Sequence, residues 1–322
     1  MYSRIAGTGR YLPARILTNA ELEKMVDTTD DWIVSRTGIS RRHISAPDET
    51  TSSMATEAAR KAMEMAGVAP ADIDFIAVGT TTPDFVFPNV ATLVQANLGI
   101  HDTAAFSVET ACSGFVYALS IADKFVRLGE AKCALVIGSE CLTRIVDWTD
   151  RGTCVLFGDG AGAVILKPSE EPGILTTIMS ADGQYKDLLS FPYGVSSGFD
   201  KLRAGAPAAI QMKGNEVFKV AVNTLSRLVD QTLEKAGIDR SEIDWLIPHQ
   251  ANLRIIQAAA KKLELPMEQV VVTVNEHGNT SAASIPLALD VAVRDGRIKR
   301  GQTLLLETFG GGFTWGSALI RY

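Results

Sequence analysis

The sequence predicts an α/β protein made of two similar halves, and three observations carry the prediction. Short apolar runs alternate with helical patterns: IDFIAVGT, a helix near Asn89–Leu98, AAFSVE, a helix after Cys112, then CALVIGS. Alternation of this kind belongs to buried strands covered by helices. The chain also repeats itself. AGVAPADIDF from Ala66 aligns with AGIDRSEIDW from Ala236, YALSIADKF from Tyr117 with LALDVAVRD from Leu287, and AKCALVIG from Ala131 with GQTLLLET from Gly301. All three matches fall at one offset, far longer than a solenoid repeat of roughly 20–50 residues, which implies duplicated halves. The polar, Pro-containing KPSEEPG (Lys167–Gly173) is the expected joint, dividing the chain into residues 1–170 and 171–322.

Taken in order, the runs around Ile76, Phe106 and Val136 are expected strands, and Phe115, Leu119, Ala122 and Val126 recur at helical spacing after Cys112. The register of the repeat fails in CLTRIVDWTDRGTCVL, residues 141–156, which predicts an inserted loop in the first half rather than core. In the second half, DWLIPHQANLRI reads as a strand ended by Pro248, then His249 and Gln250, then a helix from about Asn252. VVTVNEHGNTSAAS reads as a strand, a glycine-containing loop and a helix preceded by Asn279.

Composition bounds the function. The 322 residues are 46% hydrophobic and 21% charged, with net charge −6, which suits a globular protein and argues against a general nucleic-acid-binding surface. No window offers the roughly 20 apolar residues of a membrane span. MYSRIAGTGRYLP lacks the pattern of a signal peptide, so the expected setting is the cytoplasm. Cys112, Cys133, Cys141 and Cys154 form no CxxC pair and do not cluster with the four His, so free thiols and no metal site are expected.

Cys112 is the candidate for chemistry. It stands among the small residues Ala111, Ser113 and Gly114 at the expected first turn of a helix, where unpaired N–H groups and the helix dipole favour thiolate. Three strand-to-helix junctions then present Cys112, His249 and Asn279 at carboxyl ends of strands, where open α/β sheets bind ligands. On their own, Cys112 reads equally well as a buried thiol, His249 as a structural imidazole and Asn279 as a helix cap.

ETACSGF, PHQANLRI, HGNTSAAS and FGGGFTWGSALI together resemble the condensing enzymes of the thiolase superfamily, and within it the β-ketoacyl-acyl carrier protein synthase III family. The resemblance runs from GTGRYLP through DDWIVSRTGISRRHI to the end of the chain. It implies a five-layered αβαβα thiolase-like fold with two duplicated halves. It also implies an acyltransferase that starts fatty acid synthesis: an acyl group passes from acyl-coenzyme A to Cys112 and is condensed with malonyl-acyl carrier protein, with loss of CO2. His249 and Asn279 then hold the malonyl thioester carbonyl, and the backbone N–H groups of Cys112 and Gly312 form an oxyanion hole. Trp32, Arg36, Arg151, Asn215, Phe218, Ala251 and Asn252 match coenzyme A-binding positions. Phe87, Leu142, Phe157 and Leu189 match acyl-pocket positions, Phe87 reaching across a homodimer interface. Acyl-coenzyme A enters as substrate, and no cofactor is implied.

An acidic carrier protein needs a cationic patch on this acidic chain, and Arg254 and Lys261 share a helix face beside His249. GDGAG (Gly158–Gly162) is set aside as a phosphate loop because AVIL follows as a strand. His277 is read as loop structure, since many relatives carry an aromatic there. The terminal FGGGFTWG lacks the second cysteine of a degradative thiolase. Three alternatives stay open: a secondary-metabolism condensing enzyme or acyltransferase of the same family, a Cys-His-Asn hydrolase, and a non-enzymic acyl-binding protein. The primer is not specified by the sequence.

Overall fold

The computed structural model describes residues 1–206 and 208–322. Its first main sheet contains β1 (Tyr2–Tyr11), β2 (Phe75–Gly79), β3 (Ala104–Val108), β4 (Ala134–Cys141) and β5 (Asp159–Ser169). The second contains β6 (Ile174–Ala181), β7 (Trp245–Pro248), β8 (Thr303–Gly310) and β9 (Thr314–Arg321). The principal helices are α1 (Thr51–Ala66), α2 (Val90–Leu98), α3 (Gly114–Leu128), α4 (Gly214–Ala236), α5 (Leu253–Leu263) and α6 (Ser284–Arg294).

Strand order shows the repeat directly. The first sheet runs β1-β5-β4-β2-β3 and the second β6-β9-β8-β7. In both, a parallel pair (β4 with β2, β8 with β7) is followed by two antiparallel strands. The counterpart of β3 is reduced to one parallel bridge, Leu246 to Val270. Local details repeat as well: α1 and α4 both end on left-handed glycines, Gly67 and Gly237, and each leads through a short 3-10 turn (Pro70–Asp72, Arg240–Glu242) into a strand.

The layers follow from which faces are apolar. α3 and α6 lie between the sheets and contact both, α1 and α2 cover the outside of the first, and α4 and α5 the outside of the second. This is the expected five-layered arrangement. The middle layer is the driest part: Val116, Leu119, Leu289 and Ala292 are fully buried in one core with Val136 and Val164 of the first sheet and Leu304 and Leu306 of the second.

Four local expectations change. KPSEEPG is not all joint, because Lys167 and Pro168 continue β5 and pair with Arg4 and Ser3. β4 stops pairing at Leu166, so beyond it β5 has one neighbour strand, a place where proline is tolerated. The segment 141–156 is not wholly loop: Cys154 and Val155 are buried in core, with the Arg42 guanidinium donating to the Val155 carbonyl at 2.8 Å. Val274–His277 is a short helix rather than strand, since Gln250 Oε1 accepts from the N–H groups of Thr273 (2.8 Å) and Val274 (3.1 Å). Finally, α3 begins at Gly114, behind a separate 3-10 turn that carries Cys112.

Because the middle layer serves both sheets, Leu119→Ala is expected to lower the unfolding free energy by about 2–5 kcal/mol. Denaturant titration would read this as a lower midpoint with an unchanged slope.

Candidate active site

The turn Ala111–Ser113 is built by backbone geometry unusual for its residues. Ala111 has φ 46°, and Ser281, its counterpart in the other half, has φ 49°. A non-glycine residue in the left-handed region is strained, by about 1–2 kcal/mol. Neighbours hold the turn in place. Thr308 Oγ1 donates to the Cys112 carbonyl at 2.9 Å, Ser113 Oγ to the Thr314 carbonyl at 3.1 Å, and Thr314 Oγ1 to the Thr110 carbonyl at 3.0 Å. Gly310 lies against the turn so closely that a Cβ there would sit 2.8 Å from the Cys112 nitrogen.

His249 follows the last residue of β7, and its N–H donates to the Glu307 carbonyl on β8 at 2.8 Å. Ring nitrogen Nδ1 is 2.7 Å from Ser284 Oγ, at the start of α6, and that same oxygen accepts from the Gln250 N–H at 3.3 Å. Asn279 is held by its backbone between Leu156 and Gly158, with N–H···O bonds of 2.8 and 3.0 Å. Gly158 is required there, because a Cβ would lie 2.3 Å from the His277 carbonyl oxygen. The side-chain oxygen of Asn279 accepts from the Ser281 N–H at 2.9 Å, which leaves the amide NH2 as its outward donor.

These three side chains share the wall of one cavity of about 290 Å³. All are buried: Cys112 is 8% exposed, His249 7% and Asn279 7%. Burial decides their charge. It lowers the His249 pKa to about 3, so the imidazole is neutral at physiological pH. It pushes the Cys112 thiol up to about 12, against a hydrogen bond with Ser281 that favours the thiolate. The expectation of a resting thiolate is therefore corrected: desolvation outweighs the helix end, and the resting group is a thiol. Behind Ser281 lies Glu140, fully buried and accepting from Thr80, Thr81, Thr82 and Ser281.

Toward the exterior the cavity is lined by Trp32, Arg36, Asn215, Phe218, Ala251 and Asn252, all singled out from sequence. Arg36 and Arg151 place their guanidinium carbons 4.7 and 4.9 Å from the Trp32 ring centre. Arg151 is thus tied to the mouth through Trp32 without lining the wall. Asn252 caps α5 by accepting from the Arg254 N–H at 2.8 Å, and its NH2 donates to the Arg36 carbonyl at 3.0 Å. Arg254 is on the wall, over Phe218, whereas Lys261 is exposed further along α5.

Of the four acyl-pocket positions, Phe157 and Leu189 line the cavity. Leu142 does not: it is buried in the core beside the cavity, where Asp159 anchors the following Thr143 through its N–H (2.9 Å) and hydroxyl (2.6 Å). Phe87 projects into solvent, 84% exposed. Gly312 is also off the wall, and the glycine in contact with Cys112 is Gly310. Sequence reading missed Ser284, Ser281, Thr308 and Glu307. Ser281 and Ser284 lie inside HGNTSAAS, and Glu307 and Thr308 just before FGGGFTWGSALI, but their bonds to Asn279, His249 and Cys112 are set only by the fold. Among the described residues no cluster could hold a metal ion, and no helix is long and apolar enough to cross a membrane.

Comparison with known proteins places the whole chain. Residues 106–183 match the family described as 3-oxoacyl-[acyl-carrier-protein (ACP)] synthase III, and residues 233–322 match its C-terminal part. A β-ketoacyl-[acyl-carrier-protein] synthase III of Thioalkalivibrio sulfidiphilus is 66% identical over 321 residues, covering 100% of this chain and 99% of the relative. The crystal structure of the 3-oxoacyl-[acyl-carrier-protein] synthase III of Aquifex aeolicus superposes with a TM-score of 0.93 at 49% identity, over 99% of this chain and 100% of that one. A priming β-ketosynthase of the R1128 polyketide pathway gives the same TM-score at 38% identity, over 99% of this chain and 96% of that one. With its fold, its length and two-thirds of its residues shared, this chain belongs to the β-ketoacyl-[acyl-carrier-protein] synthase III family.

Proposed function

We propose that the protein joins a short acyl group from acyl-coenzyme A to malonyl-acyl carrier protein by decarboxylating condensation, giving 3-oxoacyl-acyl carrier protein, coenzyme A and CO2. The observation that carries this reading is the shared cavity whose wall brings together three buried side chains: a cysteine on a tight turn, an imidazole bonded through Nδ1 to Ser284, and a carboxamide whose oxygen is already engaged by Ser281.

In the first half-reaction Cys112 Sγ forms a bond to the acyl carbonyl carbon as the bond to coenzyme A sulfur breaks. The thiol proton ends on the departing coenzyme A. In the second, the malonyl thioester oxygen gains negative charge as CO2 leaves. The Asn279 NH2 is free to donate to it. Ser284 Oγ already accepts from Gln250 N–H and is suited to give its proton to His249 Nδ1, which leaves the ring proton on Nε2. Two fixed donors among buried side chains stabilise the enolate more than the starting carbonyl. The enolate carbon then attacks the acyl-Cys112 thioester. The backbone N–H of Cys112, whose residue lies on the cavity wall, is assigned to the tetrahedral oxyanion, with Gly310 lying close against its turn.

No cofactor is needed, since the acyl donor brings its own activated thioester. The arginine-flanked Trp32 suits an adenine and phosphates at the mouth, and Phe157 and Leu189 suit the acyl chain. Exposed Arg254 and Lys261 suit an acidic carrier protein, whereas Lys262 is paired with Asp230 at 2.8 Å. Phe85, Val86 and Phe87, 57%, 70% and 84% exposed, form an apolar tip whose burial fits a homodimer. A cytoplasmic setting suits four unpaired cysteines.

The reaction is tested with a panel of acyl-coenzyme A esters and malonyl-acyl carrier protein, following 3-oxoacyl product and CO2. His249→Ala and Asn279→Ala are each expected to lower condensation about 100–1000-fold, as loss of an oxyanion donor does. Mass spectrometry should still find Cys112 acylated in both; no adduct in either variant refutes this division of labour. Arg254→Glu is expected to raise the KM for malonyl-acyl carrier protein and spare acylation, and equal loss in both half-reactions counts against docking there. Light scattering should give the mass of two chains, and Phe87→Asp should shift it toward one.

A further inference from the structure

The proposed condensation consumes a proton. A malonyl carboxylate, an acyl-coenzyme A and one H⁺ go in; neutral CO2, the coenzyme A thiol and the 3-oxoacyl thioester come out. The need arises at one atom. As the new carbon–carbon bond forms, the acyl–sulfur bond breaks and Cys112 Sγ is left as a thiolate in the cavity where burial favours the thiol.

Few groups on the cavity wall could supply the proton. Arg36 and Arg254 do not release theirs. His249 is held neutral by burial, so no imidazolium is available. Glu307 remains. It lies on β8 directly beside Pro248 of β7, its carbonyl binds the His249 N–H at 2.8 Å, and the next residue, Thr308, bonds the Cys112 carbonyl at 2.9 Å. Its side chain lines the same cavity, is 1% exposed, and has no hydrogen-bond partner on either oxygen.

A buried carboxyl without a partner is costly as an anion and rare without a purpose. No cation compensates it. Across the sheet its β9 neighbour is Ser317; the α4 residues on the wall are uncharged; the other titratable groups on the wall are Cys112, His249, Arg36 and Arg254, neither arginine bonding to Glu307, with Glu140 behind Ser281. Burial alone raises its pKa to about 8, so the acid form predominates at neutral pH.

We propose that Glu307 is the proton donor of the cycle, resting as the neutral carboxylic acid and protonating Cys112 Sγ when condensation releases it as thiolate. The resulting carboxylate recovers its proton from water entering past the exposed Arg36, Asn215 and Arg254. This rests on the condensing reading above.

The test uses the full-length enzyme with acetyl-coenzyme A and malonyl-acyl carrier protein from pH 6 to 9.5. Wild-type turnover is expected to fall through one ionisation near pH 8. E307Q should turn over about 100-fold more slowly at neutral pH, lack that ionisation, and still acylate Cys112 by mass spectrometry. E307D, which keeps an acid, should recover part of the rate and an alkaline break. E307Q with wild-type turnover, or with the wild-type break, overturns the proposal.

Thermal unfolding gives a readout independent of turnover. The folded-state pKa lies above that of the unfolded chain, so the native state binds the extra proton between them and wild-type stability falls as pH rises toward 8. Glutamine has no such term, and the melting temperature of E307Q minus that of wild type should therefore grow from pH 5 to pH 9. A constant difference overturns the proposal. If E307Q does not fold, the wild-type profile decides, and turnover constant from pH 7 to 9 overturns it. If wild type makes no 3-oxoacyl product at all, the condensing reading fails first and the donor role falls with it, while the melting-temperature difference between E307Q and wild type still reports whether Glu307 is neutral.

Discussion

Two backbone hydrogen bonds join the halves of the molecule at the catalytic cavity. Asn279 N–H donates to Leu156 and the Asn279 carbonyl accepts from Gly158, so a residue of the second half is docked on the end of the first half's inserted segment. That docking positions the carboxamide and closes one side of the cavity. It also explains why Cys154 and Val155 are packed as core although they lie in the inserted segment. A segment that supports another half's active residue must itself be rigid.

Burial of the side chains on the cavity wall governs the rest of the chemistry. The same burial that keeps His249 neutral keeps Cys112 a thiol and Glu307 an acid. A thiol nucleophile is slower to react than a thiolate, but a neutral site admits a malonyl carboxylate without charge repulsion. Fixed donors gain strength in the same low-dielectric space. Asn279 and His249 are fixed by their neighbours, Ser281 and Ser284, which occupy the turn and helix start opposite the nucleophile's own.

The duplication accounts for the form of the site. In the first half, the strained turn before the middle-layer helix carries Cys112; in the second, the equivalent turn carries Ser281, and Asn279 lies just ahead of it. One backbone device has thus been used twice, once to present Cys112 and once to bond the Asn279 side chain. The two helices that follow these turns share one core between the sheets, and the turns themselves are in contact.

From sequence alone, the alternation of elements and the single-offset repeat indicated two similar α/β halves, and the resemblance carried by ETACSGF, PHQANLRI, HGNTSAAS and FGGGFTWGSALI implied the five layers and singled out Cys112, His249 and Asn279. Those features are local: periodicity, small residues at turns and self-similarity need no knowledge of distant contacts. Tertiary structure decided what depends on residues remote in the chain. It set the protonation of Cys112, because desolvation is a property of the closed cavity. It placed Phe157 and Leu189 on the wall and Leu142 behind it, because the 3-10 turn at Leu142 is pulled inward by Asp159. Glu307 was hidden for the same reason: in LLLET it reads as one polar residue in an apolar strand, and only the meeting of β8 with the Cys112 turn turns it into a buried acid facing the chemistry.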